Sequence, residues 1–395
     1  MSAAIAAARA GANVIILEKN NKLGRKLYAT GNGRCNLSNT YMNLEKAFFS
    51  GDAHYEDFLR DILGRMPSRE IIEFMNSMGI LTYEKNGYIY PVSNQASAVV
   101  WAMTDELKKY GVTIMLKADI QSVAKSDETS NLTIKLADDI ITAKRLIIAT
   151  GGKSYASLGG SDSGYNMIKG LGIKLSKLRP ALCPFVVEED FKDIAGVRAN
   201  ASARLFVDDE MKALETGELQ ITDYGLSGIM MFNLSSIGGA ALSEGKRVTV
   251  SLDFLEHYDK DDLEGYIRKE ETRTILGALN GFINDKLGGF LLKRIGIDTR
   301  TAVKELSDAQ IKAVLCELKG FTVELKGLKG YEQAQVTAGG IALSAIEKNT
   351  MRIKDMEHVY AAGEALDIDG ICGGYNLTFA ILSGKRAGES AAFNL

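Results

Sequence analysis

The sequence predicts an α/β domain interrupted by a β-rich insertion and a small helical one. Three observations predict it. Residues 1–18, MSAAIAAARAGANVIILE, read as a helix, a Gly stop and an apolar strand that ends in an acid. Near Leu178 the texture changes to short strands between turns, and from about 256 it becomes helical. The tail from His358 returns to a strand, a Gly-rich loop and a helix. The expected division is an α/β domain over 1–177 and 336–395, a barrel or sandwich over 178–255, helices over 256–320 and a return strand over 321–335.

Met1–Ala10 is Ala-rich and free of Pro, and Gly11 stops it. Asn13–Leu17, NVIIL, reads as a buried strand with Glu18 at its end. Together they are the second half of a βαβ unit, the repeating piece of a Rossmann-like fold. The segment that follows, KNNKLGRKLYATGNGRCNLSN, has no helical period. It carries Lys19, Lys22, Arg25, Lys26 and Arg34 among Gly24, Gly31 and Gly33, as a loop laid along an extended anionic ligand would. Residues 68–79 predict a helix capped by Ser68, and LTYEKNGYIYP a hairpin turning at Asn86-Gly87. SNQASAVVWAMTDELKKYG is an amphipathic helix capped by Ser93 or Asn94. The strands VTIMLKA, IQSVAKS, NLTIKLA and ITAKRLIIATGG follow. In the insertion, ALCPFVVEED, ASARLFVDD, GELQITDYGLSG and KRVTVSLDF are strand-like. DKDDLEGYIRKEE, LNGFINDKLGGFLLKRIG and SDAQIKAVLCELKG are helical, and GFTVELKG and QAQVTAGGIAL return to strand.

Composition narrows the class. The 395 residues are 46% hydrophobic and 25% charged, with net charge −3, so no overall field draws the chain to DNA or to an anionic membrane. No apolar run reaches the ~18 residues of a membrane span. Cys35, Cys183, Cys316 and Cys372 lie far apart with no CxxC pair, which fits a reducing, cytoplasmic setting and no structural metal.

The chemistry begins at Glu18. A carboxylate ending the second strand of a dinucleotide fold accepts hydrogen bonds from a ribose 2′-hydroxyl and repels a 2′-phosphate, so the ligand is FAD or NAD rather than NADP. The Gly-rich phosphate turn stands about 20 residues before that acid in the fingerprint, which puts it at or just before Met1. The natural chain is therefore expected to carry about 10–20 further residues, an apolar strand and a GxGxxG turn. Downstream, Ala149, Thr150 and Gly151 form a strand-to-turn ending where backbone can meet a ligand. Gly363-Glu364 ends a strand with an acid suited to ligand hydroxyls. The helix opened by GGYNLTFAILSGKRAG directs its first amides, near Gly374 to Thr378, at whatever lies before it, as the N1–C2=O edge of a reduced flavin requires.

These stretches resemble a known family. AAIAAARAGANVIILEKN, GRKLYATGNGRCNLSN, YPVSNQASAVV, IIATGGKSYASLGGSDSGY, TDYGLSG, VTAGGI and GEALDIDGICGGYNLTFAILSGKRAG are similar to the aminoacetone-oxidase-like FAD flavoproteins, along the whole chain. The resemblance implies an FAD domain, a β-barrel and a helical domain. It implies that Glu18 and Lys19 hold the adenosine end and that Arg25 and Lys26 lie near the dinucleotide. It sets Asn32, Gly33, Arg34, Cys35 and Asn36 beside the flavin, with Ile120 among the cofactor-facing positions. Gly363-Glu364 falls near the ribityl phosphate, and Asn376, Leu377 and Thr378 at the pyrimidine edge. Activities in that family include amine oxidation, reduction of a conjugated bile-acid intermediate and dihydrouridine formation in ribosomal RNA. Asp223 and Ile229 depart from the His and Pro that its members favour in the TDYGLSGIMM loop.

The expected function is an FAD-dependent oxidoreductase that passes hydride through flavin N5, reducing a polarised C=C bond of a small molecule or of a pyrimidine in RNA. An amine oxidase using O₂ and a flavin-binding protein without turnover are the alternatives. No second GxGxxG unit is present, so NAD(P)H would visit only as a transient donor. His54, His257 and His358 fall outside the matched loops. Cys35 and Cys372 fall in loops at the flavin, where each is either a small packing residue or the acid that protonates the substrate.

Overall fold

The computed structural model describes residues 1–125 and 131–393. Ser126, the end of IQSVAKS, and the last two residues of the tail lie outside them. The chain forms two compact units. One comprises residues 1–179 and 335–395, the other residues 180–334.

In the first unit the Ala-rich segment is a helix, Ser2–Arg9, buried along nearly all its length. It packs against the last helix, Tyr375–Phe393, through residues without bulk. A Cβ on Gly388 would overlap Ala3 O, and one on Gly384 would overlap Ser2 Oγ. The first strand is Ile15–Glu18, paired parallel with Thr113–Leu116 in the register Ile15 to Thr113 and Glu18 to Leu116. A second parallel pair joins Leu146–Ile148 to Val359–Ala361. These parallel strands with their packed helices are the Rossmann-type frame.

The first strand corrects one expectation. It is half-buried rather than buried, and Ile15 is 44% exposed. Among the described residues it has a partner strand on one edge only. Helix starts also shift. Pro67 opens its helix at the first position, with Met66 rather than Ser68 before it. Gln95, not Ser93 or Asn94, precedes Ala96–Lys109. The hairpin follows its sequence signal: Thr82–Lys85 pairs with Tyr88–Pro91, and Asn86 and Gly87 both take left-handed backbone.

The second unit is built on a closed six-stranded barrel of Phe185–Val187, Arg198–Val207, Glu210–Thr222, Gly225–Ser227, Val248–Asp253 and Phe321–Leu328. A helix, Ile229–Ser243, packs on it, where the sequence gives no helical signal. Its apolar residues surround the axis instead of forming a stripe, so periodicity does not reveal it. Helices Lys260–Lys269, Ile275–Leu279, Asp285–Arg294 and Asp308–Gly320 occupy the stretch read as helical. They share one core with the barrel. Phe290 on the third of them meets Phe191 edge-on at 5.6 Å, and Phe191 lies 6.3 Å from Phe321 on the last barrel strand. Barrel and helices therefore form one compact unit rather than two. Among the described residues no helix is long and apolar enough to cross a membrane.

Candidate cofactor site

The sequence-nominated residues of the first unit gather in three clusters. The first surrounds Glu18. Asn20 donates to Glu18 Oε1 twice, from its backbone N at 2.8 Å and from Nδ2 at 2.7 Å. Arg25 donates to Asn20 Oδ1 at 2.9 Å and to the Ser157 carbonyl at 2.6 Å. Lys19 reaches Ser163 Oγ at 3.3 Å and Asp119 at 3.5 Å. So the cationic loop folds onto the Gly-rich segment 151–164, and a Cβ on Gly159 would collide with Asn20. Asn20 is the residue sequence reading missed. Only its place two residues after the acid, within reach of the Glu18 carboxylate, could have marked it.

The second cluster joins distant parts of the chain. Lys26 Nζ donates to both carboxylate oxygens of Glu364, at 2.8 and 2.6 Å. Thr337 N donates to Glu364 Oε1 at 2.9 Å. Thr337 Oγ1 accepts from the backbone N of Lys153 at 2.9 Å and of Ser154 at 3.0 Å. Gly152 leaves no room for a Cβ against Glu364 and Thr337. Thr337, within VTAGGI, thus ties the ATGG turn to Glu364. Ala149 and Thr150 remain exposed beside them.

The third cluster is the loop Thr30–Asn36 against the start of the last helix. Gly31, Asn32, Gly33 and Cys35 all have positive φ, and for Asn32 and Cys35 that conformation is strained. Gly374 sits where a Cβ would press on the Ser38 backbone. The first amides of the last helix have no carbonyl one turn back and carry the positive end of its dipole. Leu377 is half-buried there.

A group that touches a bound ligand must show surface when the ligand is absent. Glu18, Lys19, Arg25, Lys26, Asn32, Gly33, Arg34, Asn36, Ala149, Thr150, Gly151, Glu364, Cys372, Gly374, Asn376 and Leu377 all do. Cys35, Gly363 and Thr378 are buried in the structure. Positive φ at Cys35 turns its thiol into the core. Thr378 Oγ1 is held by Ser38 Oγ at 2.8 Å and the Gly374 carbonyl at 2.9 Å. Gly363 N is bound to Ser383 Oγ at 3.0 Å. Asn376 spends its side-chain amide on its own fold, accepting from Gly370 N at 2.9 Å and donating to Gly370 O at 2.7 Å. Its second Nδ2 hydrogen, its second Oδ1 lone pair and its backbone are not used by these bonds. Ile120 opens the strand Ile120–Lys125, and none of these polar contacts reaches it.

Burial pushes the Cys35 thiol up to about 11, so it stays protonated and unreactive at neutral pH. Native protein treated with iodoacetamide at pH 8 should label Cys316, which is exposed, and leave Cys35 unmodified by mass spectrometry. Equal labelling rates would contradict the burial of Cys35.

The donor set fits FAD: an acid for ribose hydroxyls, lysine and arginine along the middle, and a helix N-terminus at the far end. A sequence profile of the HI0933-like protein Rossmann domain matches residues 1–390. The chain belongs to this family. It is 35% identical over 399 residues to the 3-dehydro-bile acid delta(4,6)-reductase of Clostridium scindens, covering 99% of this chain and 96% of that one. It is 29% identical to the ribosomal RNA dihydrouridine synthase of Escherichia coli, over 95% of this chain and 90% of that one. Among solved structures, 3-ketosteroid delta1-dehydrogenase from Sterolibacterium denitrificans shares the fold, with a TM-score of 0.51 and 12% identity over 100% of this chain and 98% of that one. This member of the HI0933-like family is an FAD-dependent oxidoreductase with a Rossmann-type FAD-binding domain.

Proposed function

We propose that the protein reduces a C=C bond conjugated to a carbonyl in a small cyclic substrate, with NAD(P)H as the transient donor. FAD, when bound, supplies the hydride from N5. Glu18 orients the adenosine ribose through its second carboxylate oxygen, Oε1 being engaged by Asn20. Arg25 and Lys26 place positive charge along the dinucleotide. The observation that carries the reading is the start of the last helix, whose amides favour negative charge arriving at that end of the site on reduction. Cys372, half-buried in the loop before that helix, is our choice for the proton donor to the substrate carbon.

A small substrate is favoured over RNA by charge. Residues 180–334 carry 19 Lys and Arg against 26 Asp and Glu, an inserted unit unsuited to a polyanion. The relative that modifies ribosomal RNA keeps uridine as the second reading. The four free cysteines fit the cytoplasm, where we place the protein.

Anaerobic stopped-flow tests this. Dithionite-reduced enzyme mixed with 4,6-androstadiene-3,17-dione should be reoxidised with one C=C bond saturated per flavin. Cys372→Ser should keep its flavin spectrum and slow that reoxidation ~10²-fold. Reoxidation by uridine-containing RNA alone would move the assignment to RNA, and reoxidation by O₂ alone to an oxidase. Full activity in Cys372→Ser would leave that thiol a packing role.

A further inference from the structure

The hairpin has two unlike faces. Strand Tyr88–Pro91 turns Ile89 and Pro91 inward and leaves Tyr88 and Tyr90 with surface. Tyr83 is the cross-strand partner of Tyr90, with ring centres 5.9 Å apart and planes inclined by 31°. Tyr88 and Tyr90 stand 6.4 Å apart. Tyr83 is fixed by donating its hydroxyl to Asn94 Oδ1 at 2.6 Å. Cross-strand aromatic pairs strengthen any hairpin, so the tyrosines alone prove nothing.

What borders the row is more informative. At one end a Cβ on Gly373 would lie 3.0 Å from Tyr88 Cε1, so Tyr88 abuts the loop between Cys372 and the last helix. Beside the middle ring, a Cβ on Gly31 would be 3.8 Å from Tyr90 Cε1, and the Arg34 guanidinium lies 6.0 Å from the Tyr90 ring centre. The row thus spans the gap between the two loops of the third cluster. Lys26 and Lys19 have carboxylate partners. Arg34 is exposed, and among the described residues no carboxylate pairs with it.

We propose that Tyr83, Tyr88, Tyr90 and Arg34 form the subsite for the substrate's ring system, a planar fused-ring ketone, with Arg34 on the ketone oxygen. This rests on the reductase reading above and assigns Arg34 to substrate rather than to the dinucleotide. Flat aromatic faces bind flat ligands by stacking and exclusion of water. With Tyr88 set edge-on to Tyr90 at 66° and Tyr83 inclined to it by 31°, the three rings offer more apolar surface than a single pyrimidine needs. A guanidinium donates to a carbonyl oxygen and favours the negative charge that grows there as the conjugated bond accepts hydride.

The test is equilibrium dialysis of the oxidised flavoprotein, which cannot turn over, against 4,6-androstadiene-3,17-dione. Tyr90→Leu and Arg34→Met should each weaken probe binding about ten-fold or more, with FAD content and flavin spectrum unchanged. Tyr90→Phe should retain binding, because the ring face is kept. Wild-type affinity in both Tyr90→Leu and Arg34→Met overturns the subsite, while the reductase reading stands or falls separately on the stopped-flow result. A wild type that fails to bind the probe overturns it too, whether or not a uridine-containing RNA hairpin binds. Binding lost in both variants, from a wild type that reduces no dienone, supports the subsite and removes the reductase reading.

Discussion

Gly388→Ala should lower the melting temperature of the protein, although alanine is the better helix former by about 1 kcal/mol. The added Cβ would overlap the carbonyl oxygen of Ala3 on the first helix. That oxygen belongs to backbone and cannot rotate away, so the two helices must separate. Overpacking of this kind costs about 1–3 kcal/mol and sometimes more. With the cost at the top of that range, the net loss after the propensity gain is about 2 kcal/mol, a fall of roughly 4–8 °C for a unit of this size. Gly170→Ala is the control. It lies in a helix of the same unit, Ser163–Gly170, with open space where its Cβ would go. A thermal shift assay on the pair checks the argument. If Gly388→Ala melts at or above the wild type, the helices are not in the contact described.

Glu18→Ala should release FAD. The carboxylate does two jobs. Oε1 holds the Asn20 turn, and Asn20 in turn holds Arg25, while Oε2 is the oxygen we propose for the ribose hydroxyls. Removing both costs the ligand its hydrogen bonds and lets the loop relax. Hydrogen bonds to a charged acceptor are worth roughly 1–3 kcal/mol, so affinity should fall about 5- to 150-fold. Glu18→Gln keeps one acceptor oxygen, turns the other position into an NH2 donor and removes the charge, and it should fall between. Flavin content after exhaustive dialysis, and titration of the stripped protein with FAD, measure the effect. Unchanged affinity in Glu18→Ala would remove the acid from the adenosine site.

What could be read in the sequence was local. Asn86-Gly87 determines its hairpin because both positions need left-handed backbone. Glu18 could be found because it ends a strand after a helix and a Gly stop. The parts that could not be read depend on distance in the chain or on direction. Thr337 holds the ATGG turn some 180 residues before it, and no local pattern announces that pairing. Cys35 sits in a recognisable motif, yet the sign of φ at one residue decides whether its thiol meets a ligand or the core. Asn376 lies at the helix start, and its side-chain amide pairs with the backbone of Gly370, a contact no local pattern announces. Tyr88 and Tyr90 share one face of their strand. Their neighbours Arg34 and Gly373 come from other segments.

The close seating of the first helix on the last has a consequence for synthesis. A ribosome makes Ser2–Arg9 long before Tyr375–Phe393, which lies several hundred residues further along the chain. At ~5–20 residues per second, the alanine face of the first helix waits roughly 20–80 s for its partner. Residues 180–334 are continuous and carry their own core, so they have what they need to fold during that wait. The first unit then closes last, across contacts of very high sequence separation, which is the slow class of folding event. Chaperone dependence should therefore trace to the first unit, with its exposed small-residue helix, and not to the barrel.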